Sequence, residues 1–377
     1  MEATILEEMP PPTTEQISAP IQDQTKAEAF AAKMLGVING GALALMTSVG
    51  HRVGLFDAMG GLKPSTSVQV AEVAGLNERY VREWLGAMVT GAIVEYDPAG
   101  GTYYLPPEHA AFLTRAASPN NIASTAQFVS ILGAVEDRII ECFRNGGGVH
   151  YSAYPRFQEV MAEESAQTVL SALVDSILPL VEGVAGRLHA GANVLDVGCG
   201  SGRASILLAE TFPHSRFTGY DFSAEGIAKA NEEAAAKGLN NVRFEVKDVA
   251  ALDERENYDL ITAFDAIHDQ AQPARVLQGI ARALRPGGAF LMQDIAGSSH
   301  VEHNMEHPIA PFGYTISCMH CMTVSLAQGG DGLGAMWGEE KAQELLDAAG
   351  FTRVEMKKLP HDIMNTYYVA SIGQAEV

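Results

Sequence analysis

Asp196, Asp221 and Asp248, with glycines at 198, 200 and 202, carry the clearest chemistry in this chain. In Val194-Leu195-Asp196-Val197-Gly198-Cys199-Gly200-Ser201-Gly202 an apolar run enters a glycine-rich turn, and a helical pattern follows. Glycines there let the backbone turn tightly and approach a ligand that side chains would hold off, the mark of a nucleotide-like cofactor. The dinucleotide fingerprint would need glycine at 203, where the chain has Arg203. Asp196, two residues before the first glycine, suits the ammonium of an amino-acid moiety better than a pyrophosphate. Asp221 ends the next β-like run and can accept from both hydroxyls of a ribose. Asp248 ends the run after that, placed for an adenine amino group. Cys199 reads as a small apolar residue filling the turn.

The elements that must hold these residues follow from periodicity. After Gly191, apolar runs at Asn193–Val197, 217–220, Val242–Val246, Tyr258–Phe264 and 289–294 alternate with amphipathic helices at 201–211, 223–238 and 272–284. That alternation predicts an α/β fold with a doubly wound parallel sheet and places the three aspartates on its carboxyl edge. Upstream, helical patterns at 26–59, 66–74 and 77–91 precede a hairpin, 92–96 with 102–105, turned by Asp97-Pro98-Ala99-Gly100-Gly101: the order of a winged helix. Two longer helices, 122–143 and 157–188, flank a glycine-rich loop at 145–151. The expected division is a disordered tail (1–25), a winged-helix domain (26–115), a helical connector and cap (116–188) and a cofactor-binding domain (189–377) with an insertion at about 297–337.

Composition limits the partners. The 377 residues hold 25 Lys plus Arg against 46 Asp plus Glu, a net charge of −21. Such a surface repels polyanions unless a patch reverses the sign. The winged-helix region supplies none, because Arg52, Lys63, Arg79, Arg82 and Arg115 are outnumbered by Asp57, Glu72, Glu78, Glu83, Glu95, Asp97 and Glu108. No nucleic-acid partner is expected. Four cysteines are too few for a disulfide framework, which points to a reducing compartment, and the first 25 residues lack the pattern of a secretory signal. Cytoplasm is the expected location. The most apolar stretch, 36–50, is broken by Asn39, Gly40, Gly41 and Ser48 and falls short of the ~20 residues of a membrane span. It is expected to be a buried helix, with no membrane partner.

Asp196 to Gly202, Asp221, Asp248, the Asp259-Leu260-Ile261 strand and Leu284-Arg285-Pro286-Gly287-Gly288 resemble the ordered motifs of class I S-adenosylmethionine-dependent methyltransferases. The likeness includes a terminal strand pair, 351–358 and 365–372, like that family's antiparallel last strands. The winged-helix region is similar to the dimerisation domain of small-molecule O-methyltransferases. The resemblance implies a Rossmann-like sheet, a homodimer, S-adenosylmethionine as cofactor and a small-molecule acceptor methylated at a phenolic or enolic oxygen. It adds Phe222, Val249, Phe264 and Asp265 to the cofactor contacts. It makes His268, followed by Asp269, the candidate general base, since imidazole with its ordinary pKa of about 6.5 can accept a hydroxyl proton. His268 lining the pocket while transfer runs by proximity is the alternative. Gln270-Ala271-Gln272 departs from the plant-type pattern, which has tryptophan and acidic residues there.

The insertion holds His300, His303, His307, His320, Cys318 and Cys321. Cys318-Met319-His320-Cys321 with His303 and His307 has soft-metal spacing. On a helix carrying Ile316, Met319, Val324 and Leu326 the same cysteines are core residues, and no metal is expected. The insertion reads as a lid over substrate, with His303, His307, Tyr314 and His320 as its polar reach; Tyr151 and Tyr154 are candidates to close over the cofactor. Two further functions stay open: methyl transfer to a thiol or arsenic, and a transcriptional regulator that senses S-adenosylmethionine.

Overall fold

The computed structural model describes residues 23–373, so the expected tail lies outside them up to residue 22. Its last residues belong to a helix: Asp23 caps α1 (Gln24–Arg52), accepting from the Lys26 backbone N–H. The expectation of burial for 36–50 is corrected. Phe30, Leu35, Val37 and Ile38 are exposed, and only Ser48, Gly50 and His51 are buried. Among the described residues nothing covers the N-terminal two thirds of α1, whereas the end docks closely. Gly50 faces the Trp84 indole where a Cβ would come within 2.5 Å, and Trp84 Nε1–H donates to the Met46 carbonyl at 2.8 Å. By length and composition alone, α1 is apolar enough to cross a membrane.

α2 (Leu55–Met59), α3 (Ser67–Ala74) and α4 (Glu78–Thr90) lead to the wing, where β1 (Glu95–Asp97) pairs antiparallel with β2 (Thr102–Tyr104). Thr66 and Gln69 form a capping box on α3, and Phe56, Val81, Trp84 and Met88 make the core beneath. α5 (Pro107–Leu113), α6 (Gln127–Gly133) and α7 (Glu136–Asn145) follow. The single helix expected over 122–143 is therefore two, divided at Ala134 and Val135. The helix expected over 157–188 is also broken. α8 (Phe157–Ser165) runs into wide, π-helical turns at Ala166–Leu170 and Leu173–Ile177 before α9 (Val184–Ala190). Pro179 lacks an N–H and Gly183 takes φ +68°, so no continuous helix can pass them.

The sheet contains β3 (Asn193–Val197), β4 (Arg216–Asp221), β5 (Val242–Val246), β6 (Tyr258–Phe264), β7 (Leu284–Ile295), β8 (Arg353–Leu359) and β9 (Asp362–Ser371) in the order β5-β4-β3-β6-β7-β9-β8. β5 to β7 are mutually parallel, and β9 runs antiparallel to both β7 and β8. α10 (Arg203–Thr211), α11 (Ala224–Ala236) and α12 (Pro273–Ala283) are the crossovers, and α13 (Ala310–Ile316), α14 (Met322–Ala327) and α15 (Gly338–Ala349) follow β7. Side chains alternate along each strand, so both faces need cover. Leu195, Ile261, Phe290 and Tyr368 pack on one face, and Val194, Leu260, Leu291 and Tyr367 on the other. The strand order turns between β3 and β6, and the crevice at their carboxyl ends is where such a sheet takes its ligand.

Candidate active site

The turn after β3 opens onto a cavity of about 790 Å³ lined by Asp196, Gly198, Gly200, Asp221, Phe222, Asp248, Val249, Phe264, Asp265 and Asp269. Gly202 is absent from that lining. At φ +72° its missing Cβ faces Phe244 and Ala230, at 2.5 and 2.8 Å, so it serves packing behind the turn. Gly198 (φ +71°) would place a Cβ 2.5 Å from Ala266 Cβ, and Gly200 (φ +54°) has open space. Backbone at Gly200 is thus the part of the turn free to meet a ligand.

The aspartates are held by different means. Asp196 accepts from Ser205 Oγ at 2.9 Å and Thr262 Oγ1 at 2.8 Å, and its burial pushes the carboxyl up to about 6 against the pull of those hydrogen bonds. Asp221 accepts from the backbone N–H of Gly200 at 2.8 Å and of Ser223 at 2.7 Å; burial still raises its pKa. Asp248, more exposed, caps the turn Val249–Ala251 by accepting from Ala250 N–H. Helix α8 crosses this cavity, tied by Arg203 Nη1 to the Ala162 carbonyl at 2.7 Å and by Gln158 Nε2 to Ser223 Oγ at 2.6 Å. Tyr151 lines the cavity with its ring edge-on to Phe222, and Tyr154 is buried away from it, donating to the Met319 carbonyl.

Beside it lies a smaller, mostly apolar cavity of about 80 Å³ lined by Phe128, Met161, Glu164, His268, His307 and Met336, among others. Phe157, Met161, Asp265 and Asp269 line both spaces. His268 is buried between them. Its Nδ1 meets Asp294 Oδ1 at 2.7 Å, and its Nε2 lies 3.2 Å from Asp269 Oδ1. Asp294 Oδ1 also accepts from Trp337 Nε1 and from the Ile295 N–H, both at 2.9 Å. Burial opposes a charge on His268, but Asp294 and Asp269 outweigh it and hold the imidazole pKa well above its ordinary value. Asp265, at φ +49°, leaves Oδ1 without a partner among the described residues, and burial beside Asp294 raises its pKa.

The insertion packs over this region unevenly. His307 lines the smaller cavity. His320 is fully buried, stacked on Phe157 at 3.6 Å, and burial lowers its pKa to about 4. His303, near Ser298 Oγ at 3.2 Å, and Tyr314, accepting from Asn304 Nδ2 at 2.9 Å, line neither cavity. Cys321, not His303 or His307, is the insertion residue that joins His268 and Asp269. Sequence reasoning missed Asp294, Trp337 and Glu164. Asp294 had a signal, since it ends an apolar run as Asp196 and Asp221 do; the other two had none.

Residues 41–115 match the Rv2258c-like winged HTH domain, and residues 188–358 match a methyltransferase domain. Among curated proteins, the trans-aconitate 2-methyltransferase of Deinococcus radiodurans is 35% identical over 114 residues, 30% of this chain and 42% of that protein. The fatty-acid O-methyltransferase of Mycolicibacterium smegmatis is 35% identical over 104 residues, 28% and 37% of the two chains. The matches thus span less than half the length of these relatives. Human N-acetylserotonin methyltransferase, solved with S-adenosylmethionine, superposes with a TM-score of 0.67 at 17% identity over 95% of this chain and 100% of that one. Mitomycin 7-O-methyltransferase gives 0.64 at 20%, over 92% and 99%. At such identities the superpositions establish the fold, including the helical domain ahead of the sheet. The chain thus carries an Rv2258c-like winged helix ahead of a methyltransferase domain, the two-domain order of an S-adenosylmethionine-dependent methyltransferase.

Proposed function

We propose that the protein methylates a small molecule at a phenolic or enolic oxygen, with His268 as general base. The observation that carries this reading is the position of His268: it walls the apolar cavity, while its neighbours Asp265 and Asp269 also face the larger one. The larger space fits S-adenosylmethionine, with Gly200 as an open backbone cradle, Asp221 for the ribose, Asp248 for the adenine and Asp196 toward the amino-acid end. When bound, that cofactor supplies an electrophilic methyl group on a sulfonium. The protein's part is to orient and deprotonate. Asp294 fixes Nδ1–H, so once the imidazolium that Asp294 and Asp269 favour has lost its other proton, Nε2 takes the acceptor's, and the apolar walls from α6, α8 and α13 exclude water.

The same reading places the protein in a reducing compartment, where its four cysteines stay free as they are here. It divides the chain as expected from sequence and makes it a homodimer through the exposed apolar side of α1. A DNA-reading role finds no support on α4, where Arg79 pairs with Glu83 and Arg82 with Glu78. Calorimetric titration with S-adenosylhomocysteine tests the cofactor site: binding is expected, and Asp221→Ala should weaken it strongly. Binding unaffected by that change would remove the proposed site. Transfer of labelled methyl into a panel of phenols, enols and thiols then identifies the acceptor atom.

A further inference from the structure

A ring nitrogen of His268, Cys321 Sγ and a carboxylate oxygen of Asp269 lie within 4.8 Å of one another. His268 and Cys321 are buried, and Asp269 is half-buried. His320 stands behind Asp269, with Nδ1 4.0 Å from Asp269 Oδ2, outside the converging group. It is 0% exposed, and neither ring nitrogen has a hydrogen-bond partner among the described residues. Asp269 Oδ1 is likewise without one, its 3.2 Å approach to His268 Nε2 lacking hydrogen-bond geometry. Leaving such polar atoms buried and unpaired costs free energy.

One bound ion would satisfy Asp269 Oδ1 together with His268 and Cys321. Around a tetrahedral centre with arms of about 2.0–2.3 Å, neighbouring ligand atoms stand roughly 3.3–3.8 Å apart. The 3.2 Å between His268 Nε2 and Asp269 Oδ1 is close to that range. An imidazole, a carboxylate and a thiolate suit a borderline-soft cation better than magnesium or calcium, which take oxygen. The second sphere is also present. Asp294 receives Nδ1–H of His268 and is itself fixed by Trp337, the carboxylate–histidine arrangement that orients metal ligands. The cluster borders both cavities through Asp269, so an ion has a way in.

We propose that His268, Asp269 and Cys321 bind one zinc-class divalent cation, with its fourth position open toward the cavities, and that its binding occupies the base nitrogen and switches methyl transfer off. Cys321 enters as the thiolate and His268 as the neutral imidazole, each releasing its proton to solvent. The switch rests on the reading of His268 as the base; the binding does not.

The test uses the full chain, stripped with chelator, titrated with Zn(II) against a chromophoric indicator and separately with Co(II). Expected are one equivalent of metal, a thiolate-to-cobalt charge-transfer band, and methyl transfer that falls in step with zinc occupancy. Cys321→Ser should lose the band and weaken zinc on the order of 10²-fold. Asp269→Asn, which keeps the shape and removes the charge, should weaken it comparably, and thermal melting with S-adenosylhomocysteine titration certifies that each variant is folded. Absence of the band, no zinc binding at equimolar micromolar concentrations, or unchanged affinity in both variants would overturn the site. Full-rate transfer by the zinc-loaded protein would overturn the switch. Metal binding is read without turnover, and His268→Gln kinetics are read in chelator, so either proposal can fail without the other.

Discussion

His268 Nδ1 and Asp294 Oδ1 meet at 2.7 Å, both buried, from the loop after β6 and the end of β7. The parallel register that sets Phe264 beside Gln293 brings them together. Asp294→Asn keeps the shape but exchanges an acceptor-only carboxylate for an amide that can donate, so the imidazole loses its fixed tautomer. We expect kcat to fall on the order of 10²- to 10⁴-fold. Asp294 does not line the larger cavity, so S-adenosylhomocysteine affinity should stay within about twofold by calorimetry.

His268→Gln tests the base itself. A positioned general base contributes about 10²- to 10⁴-fold, and a loss of that size in kcat is expected, with cofactor affinity retained. A loss below about fivefold would assign transfer to proximity alone.

The glycine turn separates fold from ligand. Gly198→Ala should destabilise the protein by about 2 kcal/mol or more, because its Cβ meets Ala266 at 2.5 Å and φ is +71°. Gly200→Ala meets nothing, so its cost is the left-handed strain of about 1–2 kcal/mol. Its methyl projects from the cradle, and S-adenosylhomocysteine affinity should drop. Thermal melts with and without ligand distinguish the two effects.

What was legible in the sequence was local. β3, its turn and α10 are written in consecutive residues, and the alternation of runs and helices was enough to give the parallel sheet. Asp294 is 26 residues from His268, and only the pairing of β6 with β7 makes them neighbours. Trp337 is more distant still, reaching the same carboxylate across the insertion. The breaks within 122–143 and 157–188 were hidden because apolar spacing persists through a wide turn. Burial of α1 was misjudged for a related reason: apolar periodicity tells which face wants cover, not whether this chain provides it.

That uncovered face gives a prediction. Leu35 and Ile38 are 63% and 65% exposed. If a second copy covers them, Leu35→Glu with Ile38→Glu should convert a dimer to a monomer in sedimentation velocity and leave the monomer folded, since both side chains are exposed among the described residues. A wild-type protein that sediments as a monomer would remove the dimer from the reading.

Glu163 links the N-terminal domain to the active site, and its titration should appear in the stability. Its Oε1 meets Nε2 of the buried His51, at the end of α1, at 2.7 Å; its Oε2 accepts from Gln127 Nε2 at 2.8 Å. The His51 hydrogen bond, foremost, holds the Glu163 carboxyl down at about 2 against the opposing effect of burial. A carboxyl whose pKa falls on folding stabilises the native state above its unfolded value, here 4.5, and that contribution disappears as pH drops toward 2. The unfolding free energy of wild type minus Glu163→Gln should therefore be constant above about pH 5.5 and shrink steadily between 4.5 and 2. Urea denaturation at several pH values measures it. Because Met161 and Glu164 on the same helix line the smaller cavity, loss of this link should also raise the acceptor KM more than it lowers kcat. A gap independent of pH would mean that Glu163 is no better solvated by His51 and Gln127 than by water.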